Sequence, residues 1–387
     1  MGNKKYSMLM IGYQCYPGHV ADFTRHLKKA NPAVDISLVT TYPLEYFPKD
    51  IADNTEHIYF IPFILKWKRI RKFLDWFNMV KLFATLARKQ KYDFINIQFA
   101  MPFLAHAIPW FKKLTDHIII TPWGSDVLRV DKKEEIRKSR ELFRAASCIM
   151  VDAESQLAKE AVTKFKFDPD KILSLPWGME YVDFFQEEKP SATVEESKAR
   201  FGLEGRYVIS CGYNARPVQR HEAIIDAVAA IKDKLPENLT LLFPFTYGWP
   251  HCDAYAQSIL NKCTSYGIQG MVIRDFLDYP DIYKLRNATD IFVHVQTTDA
   301  YSACVMQYIL CKIKIVHGAW MKYNDLEQFQ PLFYFPVHQL EELPGVILEA
   351  YRSEPIDIPQ GVFDTILAKG WGAIMPRFNN YCESVLQ

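Results

Sequence analysis

No apolar stretch in this sequence approaches the ~20 residues needed to span a bilayer. The opening run YSMLMIGY is short, has strand character and leads directly into a turn, so it does not read as a secretory leader. An excess of one charge is lacking too. Lys and Arg number 46 against 45 Asp and Glu, which gives no argument for a nucleic-acid partner and makes any basic surface a local one. Close cysteine pairs are also missing. The eight cysteines (Cys15, Cys148, Cys211, Cys252, Cys263, Cys304, Cys311, Cys382) are scattered, with none at metal-ligand spacing. Several lie inside apolar runs such as SCIMV and YVISC, where Cys acts as a small core residue, so reduced structural thiols are expected. No His/Cys ligand cluster, short repeat or low-complexity tract appears, and no resident metal or cofactor is expected. Met1-Gly2 opens like a myristoylation signal, but Tyr6 stands where that signal wants Ser or Thr. These absences point to a cytoplasmic protein.

What is present is a folded-protein composition, 49% hydrophobic and 24% charged, over 387 residues, too long for one ordinary core and suited to two. Short β-type runs alternate with longer helical patterns, the signature of parallel sheets with crossover helices. Strands are expected at 7–12, 35–40, 57–61, 94–98, 117–121, 148–151 and 172–175. After a polar stretch, FQEEKPSATVEE, further strands are expected at 207–211, 239–244, 271–274, 291–295 and 314–317. The predicted organisation is a Rossmann-like domain over 1–187, a linker over 188–200, a second Rossmann-like domain over 201–362 and a closing helix over 363–387. Open sheets of this kind bind ligands at the carboxyl ends of their strands.

Four loops at such strand ends carry candidate chemistry. Gly12-Tyr-Gln-Cys-Tyr-Pro-Gly18, with Pro17, leads from a strand into a helix, allowing close backbone approach to a ligand; a plain turn fits as well. Thr121–Val127 (TPWGSDV) sets Trp123, Gly124 and Ser125 beside Asp126, a carboxylate suited to sugar hydroxyls or to proton removal, or simply to capping the turn. Gly212–Ala227 (GYNARPVQRHEAIIDA) places Asn214, Arg216, Arg220 and His221 before and at the start of an amphipathic helix. Cations there are unfavourable unless an anion lies between, which a pyrophosphate would supply. In His294–Cys311, a helix begins near Ser302, and the amides of Ser302, Ala303 and Cys304 after Tyr301 are expected to face a phosphate. Asp299 and Gln307 stand eight apart in the same segment and are suited to face the cleft, or Asp299 serves as an ordinary capping residue. Of the histidines, His106, His251, His294 and His317 fit ordinary packed or surface roles; His294 and His317, at strand ends near these loops, are the two worth testing.

The pattern resembles GT-B glycosyltransferases. TPWGSDV is similar to the His-Gly-Ser-Asp segment of family 4, with Trp123 where His is common. LPWGMEYVDFF (175–185) resembles the family's Pro-Asn-Gly-Val-Asp segment, and Asp299 and Gln307 occupy the positions of its two donor-binding glutamates. WGAIMPRFNNYCESVL resembles its closing helix. The GYNARPVQRH loop with Pro244–Gly248 is closer to TDP-4-acetamido-fucose transferases, Arg220 standing for the usual Lys. The resemblance implies an α/β GT-B fold, two Rossmann-like domains facing across a cleft. It implies metal-independent transfer from a nucleotide sugar to a saccharide or polyprenyl-linked acceptor. Asp126 and Asp299 are then the candidate catalytic carboxylates; residues Gly212, Asn214, Arg216, Arg220, His221, Tyr301, Ser302, Ala303 and Gln307 would bind the donor. Gly12, Pro17, Gly18, Trp123, Gly124 and Ser125 would bind the acceptor. A sugar-nucleotide epimerase and an inactive sugar-binding scaffold are the rival readings on this fold.

The segment 64–91 interleaves Lys66, Lys68, Arg69, Arg71, Lys72 and Lys81 with Trp67, Phe73, Trp76 and Phe77, as does a helix lying on an anionic membrane surface. Peripheral attachment at the inner face of the plasma membrane, through Lys66, Trp67, Lys68, Arg69, Arg71 and Lys72, is therefore expected. A core helix with a solvated basic face has the same pattern.

Overall fold

The computed structural model describes residues 5–62, 71–246, 252–327, 329–330, 332–354 and 357–387. Lys66, Trp67, Lys68, Arg69 and His251 lie outside the described residues, as do Met1-Gly2 and the end of the Pro244–Gly248 segment. The chain divides into two units, one formed by Met1–Glu180 with Lys369–Gln387, the other by Tyr181–Ala368.

The first unit is built on a parallel sheet. Its strands are β1 (Ser7–Gly12), β2 (Asp35–Thr40), β3 (His57–Phe60), β4 (Phe94–Gln98), β5 (His117–Thr121), β6 (Cys148–Val151) and β7 (Ile172–Ser174). They lie in the order β3-β2-β1-β4-β5-β6-β7. Central strands such as β1 and β4 are buried on both faces, hence their near-continuous apolar runs. Helix Pro17–Ala30 follows β1, with Pro17 at its first turn, where a missing N–H costs nothing. It begins four residues earlier than its apolar period, which starts at Ala21, indicates. Helix Trp371–Val385 returns to this unit and packs on it: Trp371, Ile374, Met375, Phe378 and Cys382 are buried with Phe23 and Leu27. Gly178 is required there, because a Cβ would collide with the Trp371 indole.

The second unit holds β8 (Tyr207–Cys211), β9 (Leu239–Pro244), β10 (Gln269–Ile273), β11 (Ile291–His294), β12 (Lys314–Gly318) and β13 (Tyr334–Val337), ordered β10-β9-β8-β11-β12-β13 and parallel throughout. Residues 188–200, expected as a linker, lie in this unit. Val194–Arg200 is a helix whose Thr193 and Glu196 form a reciprocal capping box, and Asn287 ties the segment to the unit through Ala192 and Ser197. Among the described residues no helix is long and apolar enough to cross a membrane, and all eight cysteines are unpaired thiols.

In each sheet the strand order reverses beside the first strand, between β1 and β4 and between β8 and β11. At such a switch point the connections leave in opposite directions and open a crevice at the carboxyl ends. The candidate loops after β1, β8 and β11 lie at these two places, and the Thr121–Val127 loop follows β5, one strand further along.

Candidate functional site

In the first unit the loop after β1 is pinned by its neighbours. The Gln14 amide donates to Thr41 Oγ1 at 3.0 Å, and the Cys15 thiol donates to the Gln98 carbonyl at 3.0 Å. Burial, and then the nearby Asp126 carboxylate, raise that thiol well above its ordinary pKa, so it is no nucleophile. Gly12 ends β1 in register with Thr40, and a Cβ on Gly18 would meet the Tyr16 ring at 2.8 Å. Around the loop stand aromatic rings: Tyr16, exposed, 5.3 Å from His19, which lies 5.2 Å from Trp123; Trp123 is 5.4 Å from Trp177. Trp123 Nε1 donates to Gln98 Oε1 at 3.1 Å, Gly124 takes φ +119°, and Ser125 is exposed.

Asp126 takes the capping role of the two its sequence allows. Its Oδ1 accepts the amides of Trp123 (3.0 Å) and Gly124 (2.8 Å), and its Oδ2 accepts that of Ala100 (2.7 Å). Burial pushes its pKa up to about 6 against the lowering effect of these amides. With both oxygens engaged, it clamps the loop after β5 to the loop after β4 and is not placed as a free proton acceptor.

In the second unit the loops after β8, β11 and β12 are joined. Thr297 N–H donates to the Val218 carbonyl (3.1 Å), Gln219 Nε2 to Gln296 Oε1 (2.8 Å) and Trp320 Nε1 to the Gln296 carbonyl (2.7 Å). Gly212, at φ +63°, leaves room for two buried atoms: a Cβ there would lie 2.8 Å from Gln219 Oε1 and 3.0 Å from His221 Nε2. Neither atom has a hydrogen-bond partner. Arg220 caps helix His221–Ala229 from the left-handed region, φ +59°. Its guanidinium lies 5.0 Å over the Trp320 ring, and one nitrogen donates to the Val295 carbonyl at 3.4 Å. Among the described residues it makes no ion pair.

Its companions differ from expectation. Arg216 is exposed, and Asn214 Oδ1 accepts the Arg216 amide (3.0 Å), so Asn214 serves the turn. His221 is fully buried, bonded through Nδ1 to the Tyr255 hydroxyl (2.9 Å), and burial pushes its pKa down to about 3. It is neutral and adds no cation to the loop.

The start of helix Ala303–Leu310 also departs from the sequence reading. Ser302 N–H donates to Tyr323 Oη (2.5 Å) and Cys304 N–H to Ser302 Oγ (3.2 Å). Of the three amides expected to face a ligand, only that of Ala303 has no hydrogen bond among the described residues. Asp299 is likewise engaged: Oδ1 accepts the Ala300 amide (2.8 Å) and Oδ2 accepts the Tyr323 hydroxyl (2.7 Å). His294 Nε2 lies 3.2 Å from the same Oδ2 but off the line of a hydrogen bond. Burial raises the Asp299 pKa, but His294, Tyr323 and the Ala300 amide outweigh it and hold the carboxyl below its usual range. Gln307 does not project free: Arg286 Nε donates to its Oε1 (3.1 Å), and Arg286, itself buried, also donates to the Tyr308 hydroxyl (3.0 Å).

Among the described residues no group of three His, Cys, Asp or Glu side chains is placed to hold a metal ion. The one Asp-x-Asp triplet, Asp168-Pro-Asp170, is spent on a turn in which Asp168 Oδ1 accepts the Asp170 amide.

Residues 17–153 match the family described as glycosyl transferase 4-like. The match is to that segment of the first unit, and the chain as a whole shares the α/β GT-B fold of the solved structures it resembles. The chain is similar over 99% of its length, and 99% of theirs, to a glycosyltransferase from Rickettsia africae (14% identity, TM-score 0.74) and to sucrose-phosphate synthase from Thermosynechococcus elongatus (13%, 0.75). It also resembles Anabaena HepE, solved in complex with UDP and glucose, at 13% identity and TM-score 0.68, covering 98% of this chain and 99% of that one. No curated protein matches the sequence.

Sequence reasoning singled out these four loops but not the residues that hold them in place, Gln219, Gln296, Trp320, Tyr323 and Arg286. A polar or aromatic residue just past the end of a buried strand is the available signal for Gln296 and Trp320. Arg286 and Tyr323 are distant in sequence from what they hold and carry no such signal.

Proposed function

We propose that the chain transfers a glycosyl group from a nucleotide-diphosphate sugar to a saccharide or polyprenyl-linked acceptor in cell-surface polysaccharide synthesis. The observation that carries the donor class is Arg220. A guanidinium with no ion pair among the described residues is held against Trp320 at a topological switch point, at the start of helix His221–Ala229; the loop after β11, to which it bonds at Val295, leads to the start of helix Ala303–Leu310, and both helix starts favour an anion. A diphosphate fits that setting, and UDP is the ligand of the HepE structure. Arg220 and the Ala303 amide would steady the charge that builds on the departing diphosphate. The loops at Gly12–Gly18 and Trp123–Ser125, with the rings of Tyr16, His19 and Trp177, would receive the acceptor. Asp126 supports that surface and does not take the proton.

The test is thermal stabilisation of the full chain by a panel of nucleoside diphosphates and nucleotide sugars. A ligand at a hundred times its Kd adds about 2.7 kcal/mol of stability, a shift easily read. Turnover of the nucleotide sugar without acceptor would mark an epimerase; absence of any shift would leave a scaffold.

We also propose that the first unit rests on an anionic membrane. Helix Arg71–Lys89 buries Met79, Phe83 and Leu86 in the core while Phe73 and Phe77 stay exposed, 61% and 48%. Leu44 and Tyr46, from the segment after β2, and Phe60, the last residue of β3, are exposed as well. The basic residues of 66–72 directly precede the exposed rings in sequence. The full chain should sediment with phosphatidylglycerol-containing vesicles and not with pure phosphatidylcholine. Replacing Lys66, Lys68 and Arg69 with Gln should cut that binding by about a hundredfold, at ~1 kcal/mol per charge. Equal binding to both vesicle types would remove the proposal.

A further inference from the structure

The buried polar groups behind Asp299 have no part in the scheme above. Tyr323 is only 1% exposed, yet its hydroxyl joins two parts of one turn: it donates to Asp299 Oδ2 and accepts Ser302 N–H. Its ring stacks on Tyr301 at 4.5 Å and 24°, and lies 4.5 Å from the His317 ring. Tyr301 is at φ +82°, a conformation that is costly for a non-glycine residue and persists only where neighbours impose it. Residues 299–302 are therefore fixed at the Ala300 amide, the Tyr301 ring and the Ser302 amide, the last two by Tyr323.

Behind the turn, His294 and His317 are register partners on β11 and β12 with rings 5.1 Å apart. Both are fully buried; neither ring nitrogen of His294 has a hydrogen bond, and His317 Nε2 has none. His317 Nδ1 is bonded to the Tyr334 hydroxyl (2.5 Å). A sheet core has no need of such costly unpaired groups, so their presence calls for a reason other than packing.

We infer that Tyr323 is a positioning residue of the donor site: through Asp299 and the Ser302 amide it sets the turn 299–302, and with it the Ala303 N–H, for the diphosphate of the nucleotide sugar. This rests on the donor site proposed above. The hydroxyl also spends the Asp299 charge inside the protein, so that the helix start presents an amide to the anion and not a carboxylate. A different role, in which Tyr323 merely plugs the Ser302 amide until an anion displaces it, is disfavoured by the rings packed on it and by its bond to Asp299.

The experiment is calorimetric titration of the full chain and its Tyr323→Phe variant with UDP, dTDP, GDP, ADP and CDP, from pH 5 to 8. The ring remains in the variant, so the melting temperature should move little. Affinity for the best-bound diphosphate should fall about tenfold. The groups facing Asp299 are His294 from β11, Tyr213 from the loop after β8, Cys304 from the helix, and Tyr323 itself. Its carboxyl is held below the usual range in part by the Tyr323 hydroxyl, so losing that donor raises it. Protonating that carboxyl removes the charge facing the anion, so acidification should restore part of the lost affinity in the variant, and Asp299→Asn should abolish this pH-dependent difference between the two chains. Unchanged affinity and pH dependence in Tyr323→Phe overturn the inference while leaving the donor site standing; tighter binding overturns it in favour of the plug. A wild-type chain that binds none of the five diphosphates overturns the donor site itself.

Discussion

Arg220→Ala should weaken binding of the nucleoside diphosphate by about a hundredfold while shifting the melting temperature by no more than a few degrees. A charge-assisted, desolvated contact to phosphate contributes about 1.5–3 kcal/mol, which sets the size of the loss. The fold is little affected because, among the described residues, Arg220 makes no ion pair and its one side-chain hydrogen bond, to the Val295 carbonyl, is long at 3.4 Å. Ala and Arg also tolerate the left-handed φ of +59° about equally. Arg220→Lys should recover only part of the affinity, since a point charge replaces a planar fork that now lies over Trp320. Arg216→Ala, at an exposed site screened by water, should cost a few-fold at most. Calorimetric titration reads all three. Equal losses at both positions would mean that the loop's total charge matters and not the Arg220 geometry.

Asp126→Ala should lose stability rather than chemistry. Three backbone amides, from Ala100, Trp123 and Gly124, would be left without their acceptor. At about 1–3 kcal/mol for each buried group left unpaired, the expected destabilisation is about 3 kcal/mol or more, read by urea unfolding. A pH signature goes with it. The Asp126 carboxyl binds its proton more tightly folded, at about 6, than unfolded, at about 3.9. Its contribution is fully present below about pH 4 and lost as pH rises through about 6. The difference in unfolding free energy between wild type and Asp126→Asn should therefore fall across that window, by on the order of 3 kcal/mol. A variant of unchanged stability whose turnover alone collapses would return Asp126 to the role of base.

The two sheets were legible because their strands are short apolar runs bounded by turn residues, and burial on both faces leaves no polar alternation to confuse them. Strand β13 escaped notice because Pro336 argues against a central strand; β13 is the edge of its sheet, where proline is tolerated. The stretch at 188–200 looked like a linker because a helix this short and exposed carries almost no apolar period. Its signal was the cap, Thr193 with Glu196. The closing segment read as one helix from 363, but it breaks at Gly370 into Gln360–Leu367 and Trp371–Val385, and only the second part belongs to the first unit.

The candidate site divides in the same way. Composition and order along the chain determined which loops carry cations, glycines and carboxylates and that they follow buried strands, because hydrophobic patterning and turn chemistry act over a few residues. Which of those groups remain available to a ligand was decided only in three dimensions. Asp126 is claimed by an amide 26 residues away, Gln307 by Arg286 and the Ser302 amide by Tyr323, each 21 residues distant. A hydrogen bond within the fold satisfies a polar group as well as a substrate does, and its partner is chosen by strand order, on which the local sequence is silent.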